Sequence, residues 1–260
     1  MLLLAKLLLA PACVVAVSLA GRRWGVAVAG VLGGLPVVAG PILLVLTLVH
    51  GDSFGARSAA GTLLGLLALS VFVVVYGRLC PFARPVVCLF AGWGAFLAAV
   101  AILNNFHPPA LISLIVVAAT FALGIKLLPS PEGQVGEIGP LPSWDLPARA
   151  LAALALVLTI TAASGSLGPG LSGLLAPFPI ITSVLAVFTH LHGSPGQVRV
   201  LLRNFLVGFY GFASFCFVLA VGLDPLSTGV AFLAAISAAL VVQLSVFALP
   251  ISGAGAAAGR

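Results

Sequence analysis

The chain has 260 residues, 62% hydrophobic and only 6% charged, with a mean hydropathy of +1.30; a water-soluble domain keeps about a quarter of its residues charged, so a soluble fold is excluded. Its 11 basic and 5 acidic residues leave a net charge of +6, yet the basic residues stand singly or in pairs at the ends of apolar runs, which argues against nucleic acid as a partner. The runs are continuously apolar over about 20 residues instead of alternating over about 10, so a β-barrel is excluded and an all-α polytopic membrane protein, with the lipid bilayer as its partner, remains.

In chain order, the apolar runs predict about nine spans: residues 2–20, 25–49, 58–77, 85–103, 109–128, 148–165, 170–191, 200–222 and 226–249. The first, followed by Gly21, Arg22 and Arg23, has the length of a span and a single n-region charge, Lys6, so it reads as a membrane helix and not as a cleavable leader. Asn104, Asn105 and His107 are expected to end the fourth span, with Pro108 and Pro109 closing the turn. One polar connection, Pro129 to Pro147, carries Glu132, Glu137 and Asp145 and reads as a surface linker. With the N-terminus outside, nine basic residues fall on the cytoplasmic side (Arg22, Arg23, Arg78, Arg84, Lys126, Arg149, Arg199, Arg203 and Arg260) against two outside, Lys6 and Arg57. That bias predicts an outside N-terminus and an inside C-terminus. Cys13, Cys80, Cys88 and Cys216 have no metal or redox spacing and read as small apolar core residues.

The sequence also matches itself. A shift of 143 residues pairs Lys6 with Arg149, Gly30 with Gly173 and Pro36 with Pro179; after a one-residue slip, His50 meets His192, Gly51 meets Gly193 and Arg57 meets Arg199. The predicted organisation is a four-helix unit over 1–105, a linking fifth helix and cytoplasmic loop over 106–147, and a second four-helix unit over 148–260. Five spans separate the units, so this 4+1+4 repeat is of inverted topology, an arrangement common in secondary transporters. Spans two and seven carry the least helical segments: Gly33, Gly34, Pro36, Gly40 and Pro41 in one, Pro177 and Pro179 followed by Thr182 and Ser183 in the other. Proline removes a backbone donor and glycine permits unwinding, so both helices are expected to break near mid-membrane, where irregular backbone marks a binding site. The plainer alternative is that these residues, including the Gly30-x-x-x-Gly34 spacing, serve helix packing alone.

The run Gly173-Leu174-Leu175-Ala176-Pro177-Phe178-Pro179, then His192-Gly193 and Arg199, resembles the GlpM family of small four-helix bacterial inner-membrane proteins. The first half resembles the same pattern through Gly30-Val31-Leu32-Gly33-Gly34-Leu35-Pro36 and His50-Gly51. The likeness covers about 50 residues of each half. It implies two such units fused around a fifth helix and a place in the bacterial inner membrane, and it implies no reaction.

Chemistry-bearing patterns are sparse. Gly168 to Gly173 matches a dinucleotide fingerprint in spelling but joins two membrane spans, where no βαβ unit exists. His190 and His192 are predicted on the side opposite His50 and His107, so no metal site is expected, nor any other cofactor. Arg199 and Arg203 share a helix face, and Arg57 is the repeat partner of Arg199; their guanidinium groups could receive an anion, or could anchor the helices at lipid headgroups. No acid falls within a predicted span, which argues against a proton pump. No nucleophile and base pair off, so the protein is not expected to be an enzyme. The resulting expectation is an inner-membrane transporter or lipid translocase with its site between the breaks, its substrate unidentified, an anion among the candidates. The alternative is a non-enzymatic membrane protein supporting envelope assembly through helix contacts, and self-association is a further candidate partnership.

Overall fold

A computed structural model describes residues 2–37, 39–128, 142–164 and 175–248. Glu132, Glu137, the Gly168–Gly173 motif, the start of the predicted seventh span and Arg260 lie outside the described residues. All regular structure among those described is helical: α1 (Leu2–Trp24), α2 (Val26–Gly33), α3 (Ala39–His50), α4 (Asp52–Leu79), α5 (Pro85–Leu103), α6 (Ala110–Leu127), α7 (Asp145–Ser164), α8 (Ile180–His192), α9 (Pro195–Gly222) and α10 (Thr228–Ala248). Five of these, α4, α5, α6, α9 and α10, are long and apolar enough to cross a membrane.

The helix boundaries have local causes. Gly25 and Gly51 adopt φ of 93° and 89°, a left-handed conformation that glycine enters without a side-chain penalty, and each begins a new helix directly after the last. α9 starts on a capping box: Ser194 Oγ accepts from the Gln197 amide, Gln197 Oε1 accepts from the Ser194 amide, and Pro195 occupies the first turn. α5 ends as predicted, with Asn104 as its cap and Asn105 Nδ2 donating to the Ala101 and Ile102 carbonyls.

α4 and α9, each of 28 residues, form the centre. They run antiparallel, since the Cys80 thiol at the end of α4 donates to the Pro195 carbonyl at the start of α9 (3.7 Å). α9 also packs against α2, α6, α8 and α10, and α4 against α3, α5 and α6. The core between them holds Phe72 and Tyr76 of α4, Phe96 of α5, Phe121 of α6 and Phe205 and Phe209 of α9, all fully buried. The four cysteines are buried and unbridged. Outward, α5 exposes Val86, Val87, Phe90 and Leu97, α6 exposes Leu111, Ile112 and Ile115, and α10 exposes Leu233, Ile236, Leu240 and Leu244. Apolar faces this extensive suit hydrocarbon and not water, so the chain is a multi-pass membrane protein.

α2 crosses α9 at close range because glycines face each other. A Cβ on Gly34 would stand 2.8 Å from the Gly208 Cα, and one on Gly208 would meet the Val31 carbonyl. Lipid tails supply no hydrophobic drive between helices, so such close packing of small residues is what holds a membrane bundle together.

Candidate functional site

The predicted second span is interrupted as expected. α2 stops at Gly33, residues 34–37 form a turn, and α3 restarts at Ala39, with the Gly40 amide donating to the Pro36 carbonyl (2.8 Å). In the other half, residues 176–179 are non-helical and α8 begins at Ile180 behind Pro179. Proline at 177 and 179 prevents the helix from running through, for want of two backbone donors.

A cavity of about 60 Å³ joins these two breaks. Gly33, Leu35 and Ala39 contribute from the first, residues 176–182 from the second, with Leu69 of α4 and Phe209 and Phe212 of α9 completing the wall. The space suits a few waters or a small organic group. Phe178 is fixed in the wall by α5: its ring lies 5.3 Å from Phe96 and 5.7 Å from Trp93. The Trp93 indole in turn donates to Ser183 Oγ (3.0 Å), tying α5 to the first turn of α8.

Of the residues singled out in the sequence, Gly33, Pro177, Pro179 and Thr182 come together around this cavity. Pro36 sits in the first turn segment, Gly40 and Pro41 in the first turn of α3, Gly34 at the crossing with α9 and Ser183 under Trp93; none of these lines the space. The three arginines lie elsewhere. Arg57 is exposed near the start of α4, and Arg199 is half-buried near the start of α9, at the opposite end of the bundle. Arg203 Nη1 donates to the Ile125 and Leu128 carbonyls (2.9 and 2.7 Å), capping the last turn of α6. Leu69, Phe209 and Phe212 escape sequence reading because mid-helix apolar residues look alike until the helices are assembled.

A second constellation escapes it too. Asp145 belongs by position to the polar connection that reads as a surface linker, but it opens α7 fully buried. Its Oδ2 accepts from Arg22 Nη2 of α1 (2.8 Å) and from Arg149 Nε (2.9 Å), while its Oδ1 faces His192 Nδ1 of α8 at 3.4 Å without a hydrogen bond. The four-residue spacing of Asp145 and Arg149 on α7 is the available signal; nothing in the sequence points to Arg22. Burial alone would raise the Asp145 carboxyl, but hydrogen bonds and charge from Arg149 and Arg22 outweigh it and hold the group below the ordinary carboxylate range. His192 Nδ1 also lies 3.1 Å from the Phe188 carbonyl. Both neighbours are acceptors, so this nitrogen carries the proton. The cluster ties the ends of α1, α7 and α8 together. Among the described residues no group of His, Cys, Asp and Glu could hold a metal ion.

No family model, no curated protein and no solved structure matches this chain.

Proposed function

We propose that the protein is an inner-membrane transporter or lipid translocase whose substrate passes through the cavity between the two helix breaks. The observation that carries this reading is that the breaks, remote in sequence, meet at one space. Broken helices leave backbone donors and acceptors unpaired, and within a bilayer such backbone persists where it lines a site. The inverted 4+1+4 repeat supports it further. α4 and α9, equivalent in the two units, pack antiparallel against each other, and so each unit contributes a broken helix to the same space. Descent from two fused GlpM-type units fits the same arrangement, as does a place in the bacterial inner membrane with the C-terminus inside.

A second reading, support of envelope assembly through helix contacts without transport, draws on the arginines. None lines the cavity, and Arg203 is engaged with helix carbonyls. The two readings separate in one experiment: metabolite and lipid profiling of a deletion strain, followed by flux of the accumulated compound in vesicles carrying wild type, Pro179→Ala, Arg57→Lys or Arg199→Lys. Transport through the cavity predicts that Pro179→Ala loses at least about tenfold in flux at normal expression, through closure of the break, while both lysine variants match wild type. Full flux in Pro179→Ala removes the cavity from the pathway, and a specific loss in the lysine variants moves the site to the arginines.

A further inference from the structure

The residues that line the cavity differ in how deeply they are buried. Leu69, Phe209 and Phe212 form a buried inner wall. Leu35, Phe178, Ile180 and Ile181 are only half-buried and form its mouth. Phe178 is joined to the outward side of α5 by a row of rings: it lies 5.7 Å from Trp93, which lies 5.5 Å from Phe90, and Phe90 is exposed. Trp93 is the ninth residue of α5, a helix of 19 residues and membrane-spanning length, so it stands about 12 Å along an axis of about 28 Å. Its indole donates to Ser183 Oγ (3.0 Å), which fixes the start of α8 at the same height. The mouth therefore opens at the depth of hydrocarbon, far from either aqueous face.

The lining suits what is found at that depth. No lining residue carries a charge, and Thr182 alone among them has a polar side chain. The amides of Leu35 and Val37 in the first break, and of Phe178, Ile180 and Ser183 in the second, bond within their own segments. A charged group would be stripped of water here without meeting a counter-charge. A hydrocarbon chain loses no hydration on leaving the bilayer and gains dispersion contacts with Phe178, Phe209 and Phe212. Size narrows the guest further. About 60 Å³ is well below the roughly 150 Å³ that accommodates benzene, so the space takes the tip of a chain whose remainder lies outside the mouth.

We propose that the cavity receives the methyl end of a bilayer lipid's acyl chain, which enters sideways from the membrane interior between the two helix breaks. This rests on reading the cavity as a substrate site and fixes the class of that substrate as a lipid, held by its tail. Occupancy can be measured where no flux occurs.

The probe is a phosphatidylcholine carrying a diazirine at the methyl end of one acyl chain, incorporated into vesicles with the purified full chain. Illumination produces a carbene that inserts into whatever lies beside it, and peptide mass spectrometry maps the adducts. Adducts are expected on Leu69, Phe209 or Phe212, which are hidden from the surrounding lipid, as well as on Phe90 and Leu97 of the exposed face of α5. A phosphatidylcholine with the diazirine beside the ester should give no adduct on the inner wall. Ala39→Leu and Ala176→Leu each fill the space from its own lining; both should lose the inner-wall adducts and keep those on Phe90 and Leu97. Thermal midpoints near wild type, together with the retained α5 adducts, guard against misfolding. Adducts confined to the α5 face in the wild type overturn the proposal. So do inner-wall adducts that survive both leucine variants, or that form equally from the ester-end probe. Inner-wall labelling with no lipid flux would leave the proposal standing and remove the transport reading. Flux of a water-soluble compound, lost in Pro179→Ala and without inner-wall labelling, would do the reverse.

Discussion

Asp145 shows how far one side chain can reach when it is buried with charge on it. Its carboxylate is shared by Arg22 and Arg149, from helices more than a hundred residues apart in sequence, and it faces His192 on a third helix. Replacing it by asparagine removes the negative charge and leaves two guanidinium groups confronting each other, one of them almost wholly buried. Breaking a buried pair in this way costs about 3 kcal/mol, so Asp145→Asn should lower the denaturation midpoint of the detergent-solubilised protein clearly. The pH dependence has a definite sign. The carboxyl is depressed below its ordinary value of 3.8, so its contribution is fully present above that pH and is lost as pH falls through the lower folded value. Thermal melts should therefore show wild type losing stability below about pH 4 and Asp145→Asn lacking that component of the loss. Equal midpoints for the two proteins at neutral pH would mean that the cluster holds nothing together.

Among the elements, α2 and α3 illustrate how one apolar run can serve two purposes. Its N-terminal part, with Gly30 and Gly34, packs on α9, where a Cβ on Gly30 would meet the Leu201 carbonyl and Asn204; its C-terminal part restarts beside the cavity. The Gly30-x-x-x-Gly34 spacing is therefore a packing face, while Gly33, one position away, lines the cavity. On this account Gly208→Ala should be costly, since the new methyl would press on the Val31 backbone, which cannot step aside as a flexible side chain can; overpacking of this kind costs about 1–3 kcal/mol. At Gly94 an added methyl group would meet nothing within 4 Å, so this position should accept alanine without loss. Thermal midpoints of the two variants check the pair, and equal midpoints would mean that α2 and α9 do not cross this closely.

For the molecule as a whole, the contacts sort the helix ends into two groups. At one end Thr228 donates to Asp52 (2.8 Å) and Ser53 lies at 3.5 Å from Asp224. At the other are the Arg22, Asp145, Arg149 and His192 cluster, Arg78 donating to the Leu127 carbonyl (2.7 Å), and Arg203 on Leu128. These are the same two groups into which the charge bias divides the loops, and on the proposed orientation the basic-rich end is cytoplasmic. Reporter fusions at Gly51 and Asp224 should accordingly report outside, and fusions at Glu137 and Arg260 inside. A fusion after Gly193 reporting the same side as one after Gly51 would make the two proposed units parallel and overturn the proposed inverted repeat.

The sequence by itself determined that the chain is helical and membrane-embedded, because continuous apolar runs admit few other solutions when backbone groups must be satisfied without water. It also determined that regular helix would be interrupted at residues 34–37 and 176–179, since proline and glycine act locally through φ and the missing amide donor. That Gly33, Pro177, Pro179 and Thr182 share a cavity, that the rest of its wall is Leu69, Phe209 and Phe212, and that Arg203 caps a helix, was decided only by the tertiary structure. The same holds for Asp145, which by sequence is one more acid in a polar connection. Its burial depends on Arg22 arriving from another helix, and a pairing across 123 residues leaves no trace in local spacing.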